Sequence, residues 1–306
     1  MSFDQFLQKK ILITTSKKEL LIKLQLEHEE FHGLNSMTLT NWIKGRSIPS
    51  LHKQLLIAQS YCCFYDYFEY FEGSKVSKED ERFFSSIIDK IDSPYHQILP
   101  SSANTFFSYQ KGKHSELYSY IKPFASKVGN FSTIFEQLRH TEANAELLAI
   151  KSEDNKKLES FIWISHGFDA YLDYMSHSVK KHAFSEKDCL AITLVYYRYS
   201  EHFLLLIGIL FNLLLEQYSF KRKLVLSSRG FEGLMISEHL GGKLISSFPG
   251  LKCGNYYLHE FDTIRFLSNP IIINIAKQYS KKYHNDFKYT PSLLSEQIVH
   301  PKNVHN

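Results

Sequence analysis

At 306 residues, with 43% hydrophobic residues including 24 Phe and 19 Tyr, the chain has ample material for packed cores, which excludes general disorder. Its length suits one large domain or a small domain joined to a larger one. The formal charge of +4 permits nucleic-acid binding without establishing it, because distribution counts for more than the sum. The four cysteines, Cys62, Cys63, Cys189 and Cys253, include an adjacent pair that lacks the spacing of a zinc or thioredoxin-like motif. With their aromatic neighbours, Cys62 and Cys63 read as buried thiols in a reducing compartment, and a cytoplasmic protein without metal or cofactor is expected. The opening MSFDQFLQKK has no signal-peptide pattern. The greasiest stretch, Phe203 to Leu215, is shorter than the ~20 residues that span a bilayer, so a buried helix and no membrane are expected.

In chain order, the first informative signal is Ser16-Lys17-Lys18-Glu19, a capping box in which Ser16 caps a helix and Glu19 returns to it. Leu20, Leu21 and Leu24 of that helix are expected to face inward. A second short helix starts at Ser36 and ends at Gly45, with Leu39, Trp42 and Ile43 inward by their three- and four-residue spacing. Thr38, Thr40, Asn41 and Lys44 are left nearer the other side. Arg46 lies in the following loop, and Ser50 caps a further helix over Leu51 to Ala58. Met1 to Ser60 holds eight Lys or Arg against five Asp or Glu, enough for a few phosphate contacts. The acidic connection that carries Glu27, Glu29 and Glu30 is expected to point away from a duplex.

SMTLTNWIKGRSIPSLHKQLLIA (Ser36 to Ala58), with TSKKELLIKL (Thr15 to Leu24) before it, resembles the lambda-repressor-like, or Xre-type, helix-turn-helix family. The resemblance covers about a fifth of the chain. It implies a DNA-binding head over residues 1–72, with Ser36 to Lys44 as recognition helix and Trp42 as its aromatic core residue. Lys17, Ser36, Thr38, Thr40, Asn41, Lys44 and Arg46 would then approach bases or phosphates, and double-stranded DNA would be the partner.

The polar run Gly73 to Glu81 reads as a linker or an exposed helix start, and residues 73–306 as a larger, predominantly helical domain, so the whole chain is expected to be mostly α. Helical patterns are read over Glu81 to Ile91, Asn130 to Ala149, Leu158 to Val179, Leu190 to Gln217, Gly230 to Ile245 and Ile271 to Tyr283. Lys223 to Ser227 fits a short strand or a helix end. The set His166, Asp169, Asp173, His177 and His182 reads as the wet face of an amphipathic helix rather than a metal or acid–base site. No phosphate loop or nucleophile elbow is present, and no catalytic residue is assigned. The basic run Lys221-Arg222-Lys223 reads as a solvated helix end. The expected function is a transcriptional regulator whose second domain makes a homodimer and senses a small-molecule or protein effector. An enzyme with an attached regulatory head, and a protein-interaction module that does not bind DNA, are the competing readings.

Overall fold

A computed structural model describes residues 2–71, 76–92, 105–125, 143–153, 157–166, 188–248 and 255–283. The chain divides into two compact units, Met1–Lys75 with Leu267–Asn274, and Val76–Phe266 with Ile275–Asn306.

The first unit is built from short helices: α1 (Phe3–Phe6) running into a π-helical turn over Leu7–Ile11, α2 (Lys17–Glu27), α3 (Ser36–Ile43), α4 (Leu51–Ser60) and α5 (Phe64–Tyr70). Their starts are written in the sequence. Ser16 Oγ accepts from the Glu19 N–H at 3.2 Å while Glu19 accepts from the Ser16 N–H at 2.8 Å, closing the box that starts α2. Ser50 caps α4 in the same way. The cap of α3 is Asn35, whose Oδ1 accepts from the Thr38 N–H at 2.8 Å; Ser36 is the first helical residue. Leu20, Leu24, Phe31, Leu39, Trp42, Leu55 and Ile57 are buried together with Phe6, Leu7 and Ile11. Buried Gln54 is satisfied on both sides, accepting from Tyr67 Oη and donating to the Pro49 carbonyl, each at 2.8 Å. Helices this short are marginal alone, and such shared burial stabilises them.

The second unit corrects the expected fold class. It holds a seven-stranded mixed sheet, ordered β1-β2-β3-β4-β5-β7-β6, so neither that unit nor the chain is predominantly helical. The strands are β1 (Thr105–Lys113), β2 (Asn144–Ser152), β3 (Leu158–Ser165), β4 (Cys189–Tyr196), β5 (Lys223–Arg229), β6 (Lys243–Phe248) and β7 (Tyr256–Asp262). The described helices of this unit are α6 (Lys78–Ile91), α7 (His114–Ala125), α8 (Ser200–Gln217), α9 (Gly230–His239), α10 (Thr263–Leu267) and most of α11 (Pro270–Tyr283).

The helical patterns over Asn130 to Ala149, Leu158 to Val179 and Leu190 to Gln217 are replaced, where described, by β2, by β3, and by β4 followed by α8. The cause is burial on both faces. Ala145 to Ser152 and Glu159 to Ser165 are buried without interruption, and a strand covered on both sides loses its alternation, reading as an unbroken apolar run. The Gly230 to Ile245 helix likewise stops at His239, and Lys243 opens β6.

One sheet face packs on α7, with Leu117, Tyr118 and Ile121 against Leu147, Phe161, Trp163 and Ala191. Helix α8 packs against β2 and β3 and also touches α6, where Phe84 meets Phe203 at 6.2 Å between ring centroids. Phe203, Leu206, Ile209, Leu210, Leu213 and Leu214 are consequently buried. Among the described residues α8 alone is long and apolar enough to cross a membrane, and 61% of it is buried inside the protein. Its greasiness is explained by the sheet it covers.

Candidate nucleic-acid interface and buried polar clusters

In the first unit, α2 and α3 are joined through Lys17, whose ammonium donates to Thr40 Oγ1, and that hydroxyl in turn donates to the Ser36 carbonyl at 2.6 Å. Lys17 and Thr40 therefore hold the two helices in register and sit half-buried. Leu39 and Trp42 anchor α3 from the opposite side, with Trp42 only 6% exposed and edge-on to Phe31 at 6.4 Å. Ile43 is half-buried, so it flanks this core rather than filling it.

At about 100° per residue, these anchors leave Asn41 and Lys44 on the face turned away from the core. Thr38 and Ser36 lie to either side. Gly45 stops the helix at φ +66°, where a side chain is strained, and an added Cβ would meet the Asp4 carboxyl carbon at 3.2 Å. The Arg46 N–H then bonds back to the Asn41 carbonyl at 2.8 Å, and Arg46 and Ser47 project as exposed residues. Gln8 Nε2 donates to the Ile43 carbonyl at 2.6 Å, occupying one of the acceptors a helix end leaves over. Within the acidic connection Glu30 Oε1 lies 3.2 Å from His52 Nε2, and Glu27 lies 3.8 Å from the Lys23 ammonium.

In the second unit the parallel pairing within the sheet is short. β4 and β5 are the parallel pair of the sheet, and their ladder covers only Cys189–Ile192 against Lys223–Leu226. β4 continues to Tyr196 alongside β3, and β5 continues to Arg229 alongside β7, so the two strands part toward their carboxyl ends.

Arg198, just past β4, is buried and paired with Glu159, and its N–H donates to Ser160 Oγ at 2.9 Å. His202 Nδ1 meets the same hydroxyl at 2.8 Å. The amino end of α8 is already occupied, because Asp92 accepts from both the N–H and the hydroxyl of Ser200. A phosphate placed there would face a carboxylate.

A second polar cluster is centred on Glu146 of β2, a buried carboxylate. It accepts from Tyr109 at 2.6 Å, from Tyr218, and from His166 at 3.0 Å, with Lys111 at 3.1 Å. Burial alone would raise this carboxyl, but the three hydrogen bonds and the Lys111 charge outweigh it and hold the group down at about 2. Its oxygens are taken up in tying β1, β2, the end of β3 and the end of α8 together, so the cluster reads as a structural knot. Of the five-residue set singled out in the sequence, only His166 is described; Asp169, Asp173, His177 and His182 lie outside the described residues. The basic run is absorbed at the start of β5. Lys223 meets Glu260 at 2.9 Å, Lys221 lies over the Phe220 ring, and the Arg222 carbonyl accepts from Thr263.

The Glu146 cluster and the buried Arg198–Glu159 pair were not foreseen from the sequence. Glu146 offered one signal, a lone carboxylate inside the apolar run Ala145 to Ile150.

No protein-family model matches the chain, and no curated protein matches it. Among solved structures, the C-terminal condensation domain of Ebony in complex with beta-alanyl-dopamine aligns at 6% identity with a TM-score of 0.29. The alignment covers 60% of this chain and 94% of that one. A likeness that low carries no argument about fold or chemistry.

Proposed function

We propose that the chain is a sequence-specific DNA-binding transcriptional regulator, in which the first unit reads duplex DNA and the α/β unit responds to an effector. The observation that carries this reading is the build of α3. Its inner face is anchored by Leu39 and Trp42, its flank is held to α2 by Lys17 and Thr40, and Asn41 and Lys44 stand outward beside the exposed Arg46 loop. A short helix held rigidly with amide and ammonium groups outward has what major-groove readout needs. In this reading Asn41 addresses base edges, Lys44 and Arg46 address phosphates, and Ser36, Thr38, Thr40 and Lys17 set the helix against the backbone. Dimerisation through the α/β unit would supply paired half-sites.

In this reading the effector would bind beside the amino end of α8, where the β4–β5 ladder ends. Asp92 at the amino end of α8 disfavours a phosphate-anchored molecule there. An enzymatic reading would look to Glu146 and His166, but the carboxylate there is committed to neighbouring side chains.

The test is selection of bound duplexes from a random pool by the full chain, read by sequencing. Enrichment of one motif is expected. Failure of active, folded protein to enrich any sequence would overturn the DNA-binding reading.

A further inference from the structure

The outward face of α3 carries a third residue that polarity alone passes over. Met37, Asn41 and Lys44 are spaced four and three apart, so they form one stripe, opposite Leu39 and Trp42. Met37 is 75% exposed, at the second position of the helix. A single exposed apolar side chain on a protein surface needs no explanation. Met37 differs because it occupies the middle of the face on which the proposed readout depends, beside an amide and an ammonium. In the major groove the one apolar group that a base edge presents is the thymine C5 methyl. An unbranched thioether adapts its shape to such a target at little steric cost.

Resting on the DNA-binding reading above, we infer that Met37 is a specificity-determining residue that recognises a thymine methyl in the bound duplex, next to the base that Asn41 addresses. Lys44, at the far end of the stripe, then lies nearer the backbone.

The experiment takes the duplex selected by the full chain and replaces each thymine singly with deoxyuridine, which keeps the pairing and removes only the methyl. Binding is measured by fluorescence anisotropy at fixed salt for the natural chain and for Met37→Ala. Being exposed, Met37 can be truncated without loss of the fold, and far-UV circular dichroism checks this. One or two deoxyuridine positions should weaken the natural chain about four-fold each, the value of one buried methyl-sized group. Met37→Ala should lose that sensitivity at the same positions while keeping its response to changes opposite Asn41. A flat deoxyuridine scan with the natural chain, or equal sensitivity in Met37→Ala, would overturn the inference and leave DNA binding itself standing. If no duplex is enriched in the first place, the DNA-binding reading falls and this inference falls with it.

Discussion

Replacing Trp42 by alanine tests whether α3 is held from its inner face. Trp42 is 6% exposed and packs edge-on against Phe31, with Leu39 fully buried beside it. Truncating a buried tryptophan costs about 3–5 kcal/mol, transfer and cavity together. The first unit runs over Met1–Lys75 with one short added segment, and at ~0.05–0.15 kcal/mol per residue its whole stability is roughly 4–11 kcal/mol. The substitution therefore removes a large share of it, and for a domain of this size the melting midpoint should fall by at least about 12 °C. The assay is hydrogen–deuterium exchange of the full chain, followed on peptides covering Leu20–Leu24 and Leu55–Ala58. The chain's other tryptophan, Trp163, is buried in the sheet core, and its fluorescence reports whether the second unit is undisturbed. Trp42→Ala should exchange fast in the first unit with Trp163 emission unchanged, and Trp42→Phe should recover most of the protection. Unchanged protection over Leu20–Ala58 in Trp42→Ala would refute the inward anchoring of α3.

Three further outcomes follow from the same structure. Glu146→Gln should destabilise the second unit by on the order of 3 kcal/mol, the equivalent of a carboxyl held at about 2 instead of about 4.3; urea unfolding at pH 7 followed through Trp163 measures it. Because that carboxyl is depressed in the folded state, its contribution is present above about pH 4.3 and is lost as pH falls toward 2. His114 and His202 are both pushed down to about 4 by burial, so the unfolded chain takes up their protons first as pH falls below about 6.5. Stability of the second unit should thus already decline between about pH 6.5 and 4, and His202→Gln should flatten part of that slope in a melting-temperature profile. Arg46→Ala should weaken binding to related duplexes uniformly and reduce the salt slope of log Kd by about one, as read from anisotropy titrations at several salt concentrations.

What the sequence disclosed depended on whether a signal was local. The Ser16–Glu19 box, the Ser50 cap and the glycine stop at Gly45 each act within a few residues, and each stands where the spacing puts it. The strands did not disclose themselves, because Leu147–Ile150 and Phe161–Ile164 are buried on both faces and so carry no period of two. Lys223 to Ser227 could be read either way, and its pairing with both β4 and β7 makes it a strand. The short parallel pairing of β4 with β5 was out of reach for a different reason, because which strands pair across α8, and how far, is a property that no single segment encodes. Glu146 draws its partners from Tyr109, His166 and Tyr218, residues 20 to 72 positions away. Met37 was legible by helical spacing yet passed over, because a search for base-reading residues by polarity selects amides, hydroxyls and cations.

The central claim is that α3 reads base edges, and repeating the duplex selection with Asn41→Ala tests it most directly. Asn41 is half-buried at the outer face of α3 and contributes its carbonyl, not its side chain, to the bonds with Arg46 and Ser47, so the variant keeps that turn. A bidentate amide-to-adenine contact discriminates by about 1–3 kcal/mol. The natural chain and the variant should enrich motifs that agree except at one position per half-site, where the variant tolerates every base. An identical motif from both proteins, with the same preference at every position, would contradict it.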